Sequence, residues 1–213
     1  EQYADLVAIG TLADVMPIVS ENRLLVRQGL RRINQGCRPG LAALIQAAGV
    51  EMEAVNALST LFAIAPRLNA AGRMGNPDLA AELLLCEDET KAPELARQIN
   101  QLNAQRQQVE NDIFKEVCAQ LEQQPSLRYD RVMVIFGQNW HPGVVGIIAS
   151  RMVDRFGKPC IILTNTDEPG MAKGSGRSVP GFSLFDALSS CADLMANFGG
   201  HELAAGMKLA IDD

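Results

Sequence analysis

Between residues 87 and 123 the chain has no glycine, and Leu95, Ile99, Leu102, Val109, Ile113, Val117 and Leu121 recur at helical spacing along one narrow stripe. The remainder of that stretch is rich in Gln, Asn and Glu, so the pattern predicts a long connecting helix with much of its surface in water. Pro93 is tolerable only in its first turn, and Pro125 closes it. Such a rod is a candidate domain joint, and the sequence on its two sides differs in texture. With 213 residues and 47% hydrophobic content, the chain has enough apolar material for one or two cores.

Upstream of the rod the pattern is mostly helical. Leu6, Ile9, Leu12 and Met16 keep helical spacing until Pro17, and Ser20 is placed to cap a second helix running to about Ile33. Pro39 opens a third helix that stops at Gly49, and Asn76 caps a short one over residues 77–85. Downstream, residues 131–136 and 159–163 are short β-prone runs bounded by Gly, Pro and Asn. A helical pattern over residues 144–153 lies between them and stops at Gly157. Strand, helix and strand in that order build an α/β sheet. Residues 171–178 and 206–211 add strands, with a helix over about 183–196 between them. The expected fold class is therefore α/β: a mostly helical region, the long helix, then a small α/β domain from about residue 128.

Composition narrows the function. A net charge of −6 argues against holding nucleic acid by bulk attraction, so any such contact must be local. Arg23, Arg27 and Arg31, four residues apart, line one helix face where such a contact, or only solvent, could lie. No apolar run approaches the ~20 residues of a membrane-spanning helix. Glu1 and Asp5 stand where a secretory leader would be basic, so neither a membrane nor export is expected. The five cysteines are scattered without Cys-x-x-Cys spacing, which points to a reducing cytoplasm rather than to disulfides or zinc.

Two glycine clusters carry the chemistry. In Lys173-Gly174-Ser175-Gly176-Arg177-Ser178 the glycines let backbone N–H groups approach an anion, while the serine hydroxyl and the guanidinium supply directional and charge-assisted bonds to phosphate oxygens. Gly199-Gly200-His201 adds a titratable donor beside what reads as a flexible turn. The same glycines also suit a bent strand and a helix stop. Trp140-His141-Pro142-Gly143 joins the first strand of the α/β region to its helix, where such folds place ligand loops. Arg67, Asn69 and Arg73 surround a glycine-containing turn and either clamp phosphate or pair with acidic neighbours. Asp14, in apolar company near a helix end, is either a cap or a carboxylate in need of a partner such as a metal ion.

Five stretches together resemble the RecJ single-strand-specific DNA exonucleases of the DHH phosphoesterase superfamily. They are the run from Ile9 through Asp14 to Pro17, the run from Ala65 through Arg67, Asn69 and Arg73 to Gly75, the run from Trp140 and His141 to Arg151, the Lys173 to Ser178 cluster, and Gly199-Gly200-His201. The resemblance implies a division into residues 1–86, the C-terminal part of a DHH catalytic domain; 87–125, the connecting helix; and 126–213, the DHH-associated α/β substrate-binding domain. It implies hydrolysis of phosphodiester bonds from the 5′ end of single-stranded DNA passing through a cleft, in DNA repair and recombination. Asp14 is then a ligand of a catalytic Mn²⁺ or Mg²⁺. Ser175, Arg177 and Lys173, with Arg67, Asn69 and Arg73 from the other domain, hold the 5′ phosphate, and His201 and His141 serve catalysis. A single-strand-binding protein or a helicase is an implied further partner.

The family's upstream aspartate motifs and Asp-His-His signature are absent from this sequence. The expectation is a piece of a larger exonuclease whose metal site is incomplete here and which is inactive alone. Superfamily enzymes that cleave very short RNAs or cyclic dinucleotides share the His-containing glycine turn and are one alternative. A noncatalytic nucleic-acid-binding or scaffold module is the other.

Overall fold

The computed structural model describes residues 2–211. The chain divides into two units, Glu1–Arg106 and Gln107–Asp213. The joint falls within one long helix, α7 (Ala92–Gln123), as its stripe requires: Leu95 and Ile99 belong to the core of the first unit, and Ile113, Val117 and Leu121 to that of the second. It starts at Ala92 rather than 87, with Pro93 in the first turn where its missing N–H is harmless.

The first unit is helical: α1 (Ala4–Ala13), α2 (Ser20–Gln35), α3 (Pro39–Ala47), α4 (Ala57–Ser59), α5 (Ala65–Arg73) and α6 (Pro77–Leu85). α1 packs on α2 at Gly29, where a Cβ would collide with the Ala4 carbonyl oxygen and the Ala8 methyl. Ser20 does not cap α2; it is the first helical residue, with φ at 45°, and Val19 takes the cap position. Asn76 holds its predicted place before α6 but makes no side-chain cap bond. Asp5, fully buried, is gripped by Arg38 through Nε at 3.0 Å and Nη2 at 3.3 Å. Between α4 and α5 lies a π-turn, Thr60–Ile64, whose cap at Ala65 donates to the Thr60 carbonyl five residues back. Pro66 explains it, since that residue has no N–H with which to continue the ordinary ladder onto Phe62. Arg67, Asn69 and Arg73 therefore lie on helix α5, not around a turn: Pro66 suits a first turn, and Gly72 is tolerated next to the end.

α1 ends in a Schellman motif, with Val15 N–H on the Leu12 carbonyl and Met16 N–H on that of Thr11. The position that usually holds glycine is Val15, at φ 53°. This tight exit leaves Asp14 exposed at the C-cap rather than among apolar residues.

The second unit is a five-stranded sheet in the order β1 (Met133–Gly137), β2 (Cys160–Asn165), β3 (Met171–Arg177), β5 (Ala204–Ala210), β4 (Met195–His201). β1 and β2 are parallel, bridged by α8 (Pro142–Phe156), which stops at Gly157 in the left-handed conformation; the other pairings are antiparallel. Alternation along the strands separates two layers. Met133, Ile135, Cys160 and Ile162 pack with α8 and the second half of α7. Ile161, Leu163, Ala205 and Met207 pack with α9 (Leu184–Ser189). α9 is much shorter than the 183–196 helix expected, and the residues of its predicted end enter β4. Gly199-Gly200-His201 is accordingly strand, paired with Ala204–Gly206, and not a turn. Glycine has poor strand propensity, so only the pairing to β5 reveals it.

Candidate nucleic-acid interface

Each unit carries one candidate site. In the first, Gly10, Ala13 and Asp14 of α1's end face Asn69, Gly72 and Arg73 of α5 across a concavity of about 590 Å³, closed by Leu68, Pro77 and Ala80. On each helix the contributing residues are spaced three and four apart, so they share a face. A Cβ on Gly10 or Gly72 would meet no described atom within 4 Å, so both glycines leave room rather than fit a neighbour. Asp14, Asn69 and Arg73 are thus brought together and exposed. Arg67 is not with them. It lies on another side of α5, donating from Nε to Asn100 Oδ1 at 2.9 Å and from Nη1 to the Ala63 carbonyl at 2.7 Å, and desolvation lowers its pKa.

Residues opposite one another on paired strands share a sheet face. Register therefore fixes three rows across β3, β5 and β4: Arg177, Ala204, His201; Ser175, Gly206, Gly199; and Lys173, Lys208, Asn197. At one strand spacing per step, the Cα atoms of Arg177 and His201 are about 10 Å apart. α8 packs on this face at β3, where a Cβ on its Gly146 would stand 3.0 Å from Ser175 Oγ and 3.1 Å from Arg177 Nη2. Beyond β3 the face is open. A Cβ on Gly199 would meet no described atom within 4 Å, and one on Gly206 only the Gly174 carbonyl oxygen at 3.9 Å. The result is a bare backbone floor edged by a guanidinium, a hydroxyl, an imidazole and two ammonium groups.

The polar groups on this floor are held in place. Arg177 Nη1 donates to Ser175 Oγ and to the Gly176 carbonyl, both at 2.8 Å. His201 Nδ1 accepts from the Leu203 N–H at 3.3 Å, which leaves the proton of the neutral ring on Nε2, on an exposed side chain. Lys208 pairs with Glu168. Gly200 differs from Gly199: its φ is 155°, and a Cβ there would collide with the Ala204 carbonyl.

His141 lies at the N-terminus of α8, where its Nδ1 caps the helix by accepting from Gly143 N–H at 3.1 Å. With Lys173, Asn139, Asn165 and Asp167 it lines a separate concavity of about 330 Å³. The loop is latched by Trp140, whose Nε1 donates to Glu116 Oε2 at 2.7 Å. Lys173 thus serves both this concavity and the edge of the floor. Gly206, Lys208, Asn197 and Gly146 were not singled out by sequence reasoning. Residues 204–206 read only as a run of small residues, and the alignment of Gly206 with Ser175 exists only through strand register.

No group of three or more His, Cys, Asp or Glu residues able to hold a metal occurs among the described residues. Asp14 is one exposed carboxylate, whereas Mg²⁺ demands near-ideal octahedral oxygen coordination. The described residues alone do not fit a metal centre. Nor is any helix among them long and apolar enough to cross a membrane.

Comparison with known proteins agrees with this architecture. Residues 129–213 match the DHHA1 domain. The chain is 44% identical over its whole length to the single-stranded-DNA-specific exonuclease RecJ of Bacillus subtilis, covering 27% of that protein. It is 40% identical over 99% of its length to RecJ of Escherichia coli, covering 38%. The crystal structure of Thermus thermophilus RecJ in complex with Mn²⁺ superposes with a TM-score of 0.85 at 38% identity, over 99% of this chain and 30% of that one. A structure of exonuclease RecJ bound to manganese does so at 0.81 and 37%, over 99% and 51%. The chain spans between about a quarter and two-fifths of the length of these curated relatives. The chain is thus similar from end to end, in sequence and in fold, to one part of the RecJ exonucleases.

Proposed function

We propose that this chain is the substrate-holding portion of a metal-dependent exonuclease that degrades single-stranded DNA from a phosphorylated 5′ end. The observation that carries the reading is the glycine floor of the second unit, edged by Arg177, Ser175 and His201, in a chain similar to one part of the RecJ exonucleases. Without side chains at Gly206 and Gly199, a sugar-phosphate backbone can lie against the sheet. Arg177 and the Ser175 hydroxyl then hold oxygens of the terminal phosphate, and His201 Nε2–H donates to the next one. Lys173 adds charge at the border, where Lys208 is paired with Glu168, and His141 orients the adjoining loop.

In the first unit, Asn69 and Arg73 bind phosphate oxygens beside Asp14, which contributes a single carboxylate to a Mn²⁺ or Mg²⁺ site completed from outside the described residues. Residues 1–86 would then be the end of the catalytic domain, 87–125 the connecting helix and 126–213 the substrate domain, a division supported by the extent of α7 and by the DHHA1 match. Delivery of the strand by a single-strand-binding protein or a helicase, in the cytoplasm where the five thiols stay unpaired, belongs to the same reading.

The test is an anisotropy titration with 5′-phosphorylated and 5′-hydroxyl strands of one sequence. Loss of one charge-assisted contact is worth ~1.5–3 kcal/mol, so the phosphorylated strand should bind about tenfold or more tightly, with the preference lost in Arg177→Gln. Equal binding of both strands would refute the phosphate role. In Mn²⁺ the chain alone should release no mononucleotides; robust release would overturn the incomplete metal site.

A further inference from the structure

We propose that the outer face of α2 is a second contact for single-stranded DNA, gripping its backbone. The inference rests on the reading of the chain as a strand-binding protein and adds a surface to it. Arg23, Arg27 and Arg31 stand four residues apart, about 6 Å per step along the helix, and all three are exposed. No carboxylate lies three or four residues from any of them. Among the described residues none of the three has an ion-pair partner, Glu51 and Glu53 around the neighbouring turn included.

Arg32, by contrast, faces the buried Asp5 at 4.0 Å. Stacked like charges destabilise a helix, and a solvated face ordinarily intersperses signs. In a chain of net charge −6, an unneutralised row of three guanidinium groups has no local role.

The row's chemistry favours a nucleic-acid strand over an acidic peptide. Guanidinium forks match phosphate oxygens, and evenly spaced charges of one sign match the regular repeat of phosphates along an extended strand. Beside the row, Leu24 is 60% exposed, and Gln28, Arg31, Arg32 and Gln35 line a concavity of about 420 Å³. These give a base an apolar surface, amide groups and a guanidinium plane to meet.

The experiment measures affinity of the chain for a long thymidine oligomer against salt, for wild type and for Arg23→Gln/Arg27→Gln/Arg31→Gln. Glutamine is a good helix former, so the melting temperature should not fall. At ~0.7 per phosphate on a single strand, losing three contacts should lower the slope of log affinity against log salt by about two. That is about a hundredfold weaker binding at 0.1 M if the two lines meet at 1 M. If wild type binds the strand and the variant keeps its slope, this contact is refuted while the proposed function stands. If wild type binds no strand at low salt, both fall. A variant that loses an oligoglutamate peptide but keeps the strand likewise overturns the proposal.

Discussion

Replacing Gly206 with valine separates folding from binding at the glycine floor. A Cβ at that position meets only the Gly174 carbonyl oxygen, at 3.9 Å, so the side chain rises into open space between Ser175 and Gly199. Glycine inside a strand is destabilising by roughly 0.5–1 kcal/mol, and valine favours the pleated conformation. The variant should therefore be more stable by about that amount, which raises the melting temperature by a few degrees. The same two methyl groups occupy the surface on which a strand backbone would lie. A phosphate lifted off the floor gives up one or two of its bonds to Arg177, Ser175 and His201, each worth ~1.5–3 kcal/mol. The dissociation constant for a 5′-phosphorylated strand should then rise by about tenfold to more than a hundredfold. Thermal unfolding and anisotropy on one preparation read both effects. A stabilised variant that binds as well as wild type would refute the floor as the place where phosphate lies, and a destabilised one would refute the open face.

Three further outcomes follow from the packing. Arg38→Ala leaves the buried Asp5 with the Leu6 N–H at 2.9 Å and, as its cation, Arg32 at 4.0 Å, and should cost about 3–5 kcal/mol in urea unfolding; a loss below 1 kcal/mol would show that the pair does not stabilise the fold. Val15→Gly relieves a β-branched residue at φ 53° that is 76% exposed, so after glycine's own entropy it should stabilise by about 1 kcal/mol in the same assay, and a destabilised variant would contradict the Schellman geometry. Burial pushes the Cys160 thiol up to about 12, above its ordinary value near 9, so its contribution to stability is intact below pH 9 and is lost as pH rises toward 12. The slope is at most about 1.4 kcal/mol per pH unit, and Cys160→Ala should flatten the wild-type decline; identical slopes would refute it.

Much of the fold was legible wherever one element decided its own state. The stripe from Leu95 to Leu121 specified α7, Pro39 opened α3, and Gly157 ended α8, because periodicity, a fixed φ and a missing Cβ act locally. Reading failed where a distant partner decided. β4 contains Gly199 and Gly200, which no propensity assigns to a strand, and it exists because β5 supplies a ladder for it. The helix bearing Arg67, Asn69 and Arg73 was hidden because Pro66 and Gly72 resemble turn residues when the π-turn before them is unknown.

The same division governs the site. Residue types were readable: Ser175, Arg177 and His201 belong to the chemistry of holding an anion whatever the fold. Their placement was not, because a strand alternates faces every residue and a one-residue slip between β3, β5 and β4 would send His201 to the α9 side. Arg177 and His201 share a row on one face only because Ala204 lies opposite both. Gly206 acquires its meaning the same way: in sequence it is one more small residue, and in register it is the gap between Ser175 and Gly199. Arg67 shows the converse, since a residue of the right type in a matching motif is turned by helical geometry toward Asn100 and away from Asp14. A motif thus specifies which groups are present, and the sheet and helix periods decide which of them act on one ligand.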